Sequence, residues 1–347
     1  MTRTIPVPAR IPAMRKPEFA AVLLIGRFQP FHNGHAALLA AALARAECVL
    51  VVLGSAHQAR SVKNPFSWEE RAAQITLSLS PEDATRVHFL PLRDYYDDTR
   101  WTAALRQGVA STLARHGVIA SRVALLGFEK DASGYYLALF PEWTRLALER
   151  QGAFDATIVR QHYFAAATPE AGSTAVAAQV PAAVARWLAA FPAADFLHLR
   201  REQAALAANK AESVPVVSVL ALCTLADRML LTRRHEAPGE DLWALPEADP
   251  MPRETLYQAA FRALQTASGL ALANLVPVGE TRFDHPARSQ RGQRIAQVHH
   301  FHLAGLPDFP VMPPETRIFP RAALPALETE LFEDHFHILA RCLDIPE

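Results

Sequence analysis

The sequence predicts an α/β protein: a doubly wound parallel sheet in the N-terminal part, followed by a smaller α/β domain with a mixed sheet. Three observations predict it. Between Ala20 and Phe128, apolar runs of strand length alternate with helical patterns, as in a parallel sheet with crossover helices. These runs end at glycines or polar turns, where strands hand over to helices. Beyond about residue 213 the alternation stops, and VPVVSVLAL, RMLLTRR and RIAQVHHFHL flank one helical stretch, ETLYQAAFRALQTAS.

Each element has its own signal. AAVLLI (Ala20 to Ile25) is continuously apolar, as a strand covered on both faces must be. AALLAAALARA follows as a helix. ECVLVVLGS (Glu47 to Ser55) reads as a second strand, and NPFSWEERAAQITLSL (Asn64 to Leu79) as a helix with acids in its first turn. RVHFLPL, TRWTAALRQGVASTLARHG and RVALLGF continue as strand, helix and strand. Ala165 to Lys210 is alanine-rich and mostly helical in pattern. The expected division is a flexible leader over 1–18, a first domain over 19–192, a linker over 193–212 and a second domain over 213–347.

Bulk properties narrow the function classes. Lys plus Arg and Asp plus Glu each total 35, so the net charge is zero. No long-range field gathers nucleic acid or a membrane surface, and neither partner is expected. The three cysteines, Cys48, Cys223 and Cys342, lack metal-ligand spacing and fit a reducing compartment. No apolar run approaches the roughly 20 residues of a membrane helix, and MTRTIPVPARIPAMRKPEF has no signal-peptide core. The expectation is a cytoplasmic protein; a homo-oligomer is compatible with it.

GRFQPFHNGH, from Gly26 to His35, carries the chemistry. Strand ends of a doubly wound sheet gather ligands, and GRFQPFHNGH, GSAHQAR, LRDYYDDTRW and GFEKDASGYY all follow strand ends. At a helix start, outward amides and the dipole favour a phosphate. Gly34 permits close backbone approach, His32 and His35 face the same ligand oxygens, and Arg27 adds a fixed charge. The plainer alternative, a capped helix with two surface histidines, suits a bare His-x-x-His better than Phe-x-Pro-Phe-His-x-Gly-His after a buried strand.

GRFQPFHNGH resembles the signature of the Rossmann-like nucleotidyltransferase superfamily. Three further stretches resemble the nicotinamide mononucleotide (NMN) adenylyltransferases, in the bacterial form fused to a Nudix domain: SAHQARSVKNPFSWEER (Ser55 to Arg71), LRDYYDDTRW (Leu92 to Trp101) and GFEKDASGYYLALFPEW (Gly127 to Trp143). Four motifs in order are more specific than one, and the resemblance covers roughly Ala20 to Arg160. It implies attack of the NMN phosphate on the α-phosphorus of ATP, giving NAD and pyrophosphate, with Mg²⁺ bridging phosphate oxygens. It implies His32, His35 and Lys63 as the catalytic set. Gly26, Arg27, Phe28, Gly34, Asn64, Asp98, Trp101, Lys130, Asp131, Ser173 and Thr174 would bind substrate, Trp101 stacking on the nicotinamide. Alternatives are a core role for Trp101 and a surface ion pair for Lys130 and Asp131.

Two departures stand out. Phe128 occupies a position that is usually histidine. The family's downstream Ile-Ser-x-Thr-x-Ile-Arg motif, whose arginine grips ATP phosphates, corresponds to AGSTAVA (Ala171 to Ala177), which places Ala177 at the arginine. Losing a charge-assisted phosphate contact costs about 1.5–3 kcal/mol, roughly one to two decades in rate or affinity.

DLWALPEADPMPRETLYQAAFRALQTASGL (Asp241 to Leu270) resembles a Nudix box, whose helix-borne acids hold the divalent ions that activate water on a diphosphate. Glu254 and Arg262 remain, but Ala248 replaces a glycine, and Ala263, Thr266 and Ala267 stand where three glutamates belong. A Nudix-like fold without hydrolase activity is expected. TRFDHPARSQRGQRIAQVHHFHL (Thr281 to Leu303) resembles the ADP-ribose-handling branch. Arg288, Arg291 and Arg294 there meet either a diphosphate or only solvent. The competing readings are a non-catalytic sensor of NAD- or ADP-ribose-type nucleotides, and an ADP-ribose pyrophosphatase using Glu236, Glu240 or Glu280.

Overall fold

The computed structural model describes residues 17–119, 122–128, 138–149, 155–208, 215–269, 272, 274–304 and 312–345. Lys130 and Asp131 lie outside the described residues, as does most of the leader. In the first half, the chain runs β1 (Phe19–Gly26), α1 (Asn33–Leu43), β2 (Ala46–Leu53), α2 (Trp68–Thr76), α3 (Pro81–Ala84), β3 (Val87–Pro91), α4 (Asp98–Arg115), β4 (Val123–Phe128) and β5 (Thr144–Leu148). Four helices follow: α5 (Ala156–Ala165), α6 (Pro169–Val176), α7 (Ala182–Ala189) and α8 (Ala193–Ala208).

The five strands form an all-parallel sheet in the order β3-β2-β1-β4-β5. Because strand side chains alternate, Val22 and Leu24 of β1 enter one core with α1, α2 and α5–α8, while Ala21 and Leu23 enter another with α4. Burial on both faces explains the uninterrupted apolar runs. The sequence reading missed β5, whose TRLAL is an edge strand with half-exposed side chains. The helix read from Asn64 starts later, at Trp68, where Ser67 and Glu70 form a capping box.

The second half contains β6 (Val216–Leu225), β7 (Arg228–Arg233), β8 (Trp243–Ala244), β9 (Glu247–Ala248), α9 (Leu256–Ser268), β10 (Leu275–Phe283), β11 (Arg294–Leu303), β12 (Thr316–Pro320), α10 (Leu324–Leu327) and α11 (His335–Cys342). Its mixed sheet runs β10-β11-β6-β7-β12, with β11 parallel to β6 and the other neighbours on that path antiparallel. Helix α9 packs on one face through Ala259, Ala260 and Leu264, and α11 on the other through Ile338 and Leu339.

The stretch read as a linker, 193–212, carries α8 over its first sixteen residues. Phe196 and Leu199 of α8 are buried in the first core. Its Glu202 carboxylate accepts hydrogen bonds from the Gly239 and Glu240 amides of the second half. The segment is helical because both halves bury it. Elsewhere the halves meet through Arg93, which donates two bonds to Glu328 at 3.0 and 2.6 Å and lies over the Phe336 ring.

Candidate active site

The turn between β1 and α1 is under strain and heavily braced. Phe28 takes a left-handed backbone, φ 53°, which costs a bulky residue on the order of 1–3 kcal/mol. Its ring packs 3.1 Å from where a Gly26 Cβ would stand, so any larger residue there would press on the ring. Three buried side chains hold it. Gln29 donates to Phe66 O and accepts from Phe66 N, tying the turn to the loop that carries Lys63 and Asn64. Arg71, fully buried, donates to Arg27 O and Gly54 O at 2.7 Å and thereby joins the ends of β1 and β2. Arg160 donates to Gln29 O at 2.7 Å.

His32 and His35 form a reciprocal cap at the start of α1. His35 N donates to His32 Nδ1 at 3.3 Å, and His32 N donates to His35 Nδ1 at 3.4 Å. The rings stack with centroids 3.6 Å apart. With each Nδ1 occupied as an acceptor, the neutral tautomer carries its proton on Nε2, and the His35 ring donates to the Pro30 carbonyl. Burial, then the neighbouring His32, holds His35 well below the usual histidine range, so it is neutral at pH 7. Gly34 is buried in the first turn.

Beside this turn opens a cavity of about 460 Å³, lined by Arg27, Ser55, Lys63, Asp94, Tyr95, Tyr96, Asp97, Asp98, Trp101, His285 and Ala287. It brings together Arg27, Lys63, Asp98 and Trp101 of the sequence-derived set, whereas the histidine pair stands off its lining. Burial and the adjacent Arg27 lower the Lys63 pKa. Asp94 accepts from Ser55 Oγ at 2.8 Å and from Gln58 Nε2 at 3.2 Å. Asp97 caps α4 by accepting from Arg100 N, and Asp98 opens that helix one turn before Trp101. Trp101 meets Phe140 edge-on at 5.8 Å while its flank faces the cavity. Asn64 is buried, and its Nδ2 donates to Gln58. Phe28 belongs to the core below the turn.

Ser173 and Thr174 lie inside α6, not at a helix start. Ser173 Oγ donates to Ala185 O at 2.6 Å, and Thr174 Oγ1 donates to Glu170 O. Both hydroxyls serve helix packing. Ala177 ends α6. The helix that begins at the site is α5, capped by Asp155. Asp155-Ala156-Thr157-Ile158-Val159-Arg160 has the Ser-x-Thr-x-Ile-Arg spacing with Asp for Ser and Val for Ile. The sequence reading did not single out Arg160, which this spacing places beside the turn. Its guanidinium is buried against Gln29 and the Thr157 hydroxyl. Desolvation and then the nearby Arg27 lower its pKa to about 10, so it stays charged at neutral pH. Arg27 is near enough to lower both Lys63 and Arg160, and Arg160 lowers Lys63 as well.

In the second half, Arg262 donates to both oxygens of Glu254 at 2.8 Å, and Met251 N donates there too. The Arg262 hydrogen bonds bring Glu254 to about 2. The pair bridges the start of α9, and among the described residues no cluster of three His, Cys, Asp or Glu side chains is disposed for a metal. Arg288, Arg291 and Arg294, read as meeting either a diphosphate or solvent, are turned onto protein groups. Arg288 forms a bidentate pair with Asp334, the two side chains 2% and 1% exposed. Arg291 bridges Glu247 and Glu333, and Arg294 donates to Ser218 and Asp249. They tie the 285–294 loop to the sheet and to α11, because a buried guanidinium requires acceptors.

A parallel 3-2-1-4-5 sheet, a histidine-capped turn at the end of its central strand, and a cavity beside it lined by Arg27 and Lys63 define a nucleotidyltransferase domain, here joined to a Nudix-like domain. The cytidylyltransferase-like family matches residues 23–99. The nicotinamide/nicotinic acid mononucleotide adenylyltransferase of Acinetobacter baylyi is 40% identical over 148 residues, 42% of this chain and 77% of that one. The nicotinamide-nucleotide adenylyltransferase of Ignicoccus hospitalis is 36% identical over 86 residues, 24% of this chain and 50% of its own length. A bifunctional NMN adenylyltransferase/ADP ribose pyrophosphatase from Francisella tularensis superposes with a TM-score of 0.82 at 27% identity, covering 94% of this chain and 99% of that one. The chain belongs to the NMN adenylyltransferase family. A second crystal structure of the Francisella protein is a complex with AMP and a manganese ion.

Proposed function

We propose that the protein joins NMN to the adenylyl group of ATP, forming NAD and pyrophosphate. An oxygen of the NMN phosphate attacks the α-phosphorus, and the bond to the β,γ-pyrophosphate breaks in line. No covalent enzyme intermediate is needed, so the work is positioning and charge neutralisation. The observation that carries this reading is the convergence of Arg27, Lys63 and Arg160 around the braced turn with Trp101 and Asp98 across the same cavity. His32 and His35 would meet the ATP phosphates at the start of α1, where the outward amides and the dipole also favour an anion. The cations would offset charge developing on the pyrophosphate, and Trp101 would stack on the nicotinamide. Magnesium enters as the ATP complex; bound through phosphate oxygens, it needs few protein ligands.

The Nudix-like half we read as catalytically silent, since its one retained box carboxylate, Glu254, is held by Arg262. No helix of the described residues is long and apolar enough to cross a membrane, and the free thiols Cys48, Cys223 and Cys342 support a cytoplasmic setting. ATP labelled at the α-phosphate tests the reaction. Label should pass to NAD, and the pyrophosphate should be unlabelled. Label retained in ATP, or released only as AMP, would refute the reading.

A further inference from the structure

The transferase cavity is not built by the first half alone. His285 and Ala287 of the second half line it beside Arg27, Lys63 and Trp101. The Phe-Asp-His-Pro stretch that contains His285 finds no use in a silent hydrolase site, since its arginines are spent on internal carboxylates. The loop that carries it is rigid for a physical reason: Arg288 is locked to Asp334 in a buried pair, and Ser289 Oγ and the Gln290 amide both donate to Glu333. The Gln290 side chain then accepts from the Lys63 amide at 2.8 Å across the boundary. One short loop therefore touches the backbone of a site cation and also walls the cavity.

The chemistry of the histidine is set by its surroundings. Ala287 N donates to His285 Nδ1 at 3.2 Å, so a neutral ring carries its proton on Nε2. Its ring centroid lies 5.3 Å from that of Tyr96, and the side chain is otherwise exposed at the cavity. Two of the three acids that line the cavity are engaged with protein groups: Asp94 accepts from Ser55 and Gln58, and Asp97 caps α4, while Asp98 lines it beside Trp101.

We propose that His285 is a substrate-binding residue of the transferase site, donating its Nε2–H to an oxygen of the mononucleotide, so that the Nudix-like half completes the pocket it abuts. This inference rests on the transferase reading above. The full-length protein tests it. His285→Ala should raise KM for NMN about tenfold, the effect of one hydrogen bond to a charged oxygen, and weaken calorimetric NMN binding equally. The kcat and the KM for ATP should stay within twofold. His285→Gln, which keeps a donor, should recover most of the loss, and His285→Phe, which keeps only a ring against Tyr96, should not. Unchanged KM and binding in His285→Ala would overturn the proposal. So would equal losses for NMN and ATP with a lowered melting midpoint and no rescue by glutamine, the mark of a structural role. A wild-type protein that binds NMN yet makes no NAD would sink the transferase reading while leaving calorimetry to judge His285. One that does not bind NMN would sink both.

Discussion

Replacing Arg160 with glutamine separates a phosphate-binding arginine from a packing one. The guanidinium donates to Gln29 O at 2.7 Å and is buried beside the turn. With its pKa at about 10, it is charged throughout the assay range near pH 7.5. A charge-assisted hydrogen bond to phosphate is worth about 1.5–3 kcal/mol, so kcat/KM for ATP should fall by roughly one to two decades. The bond to Gln29 O accounts for about 1–2 kcal/mol of stability, visible in urea unfolding. Arg160→Lys keeps the charge but loses the fork that spans Gln29 O and a second acceptor; it should fall between the wild type and Arg160→Gln. The assay is steady-state NAD formation with ATP varied at saturating NMN, run beside unfolding curves. A kcat/KM within threefold of wild type in Arg160→Gln, with the stability loss alone, would refute the reasoning and leave Arg160 a purely structural residue.

Further outcomes follow from other contacts. Trp101→Ala should raise KM for NMN by one to two decades, since base–aromatic stacking is worth about 1–3 kcal/mol, and leave KM for ATP nearly unchanged in the same assay. Arg288→Ala strands the buried Asp334 carboxylate and should cost about 3–5 kcal/mol in urea unfolding of the second half, a loss that Asp334→Asn in the same chain should partly restore. His335 is buried, and its Nδ1 accepts from Leu245 N. Desolvation lowers its pKa to about 3. Below pH 6.5 the unfolded state gains a proton that the native histidine refuses, so its share of stability is present above pH 6.5 and is lost as pH falls toward 3. Between pH 7 and pH 5 that amounts to about 2 kcal/mol. His335→Asn should flatten this part of the stability profile; an unchanged slope would refute the assignment.

Legibility in the sequence tracked locality. The Gly26–His35 turn was readable because strand, cap and phosphate chemistry lie within ten residues. The parallel sheet was readable because burial on both faces leaves unbroken apolar runs. Arg160 was missed for a chemical reason: Asp155 does the capping that the motif gives to serine, so the literal Ser173–Thr174 pair drew the motif to α6. The roles of Arg288 and Arg291 depend on Asp334, Glu333 and Glu247, more than forty positions away in sequence, and no spacing rule reaches that far. The same distance hid His285. Helix α8 read as a linker because its polarity is split between two buried ends, Phe196 in one core and Glu202 on the amides of the other half.

The central claim is tested most directly by NAD formation from NMN and magnesium–ATP by the full-length protein, measured beside His35→Ala, with free ADP-ribose offered in a parallel hydrolysis assay. The account predicts NAD synthesis that collapses in His35→Ala, with no ADP-ribose cleavage by either protein. Undiminished synthesis in His35→Ala, or no synthesis by a wild-type protein that still binds nucleotide, would contradict it.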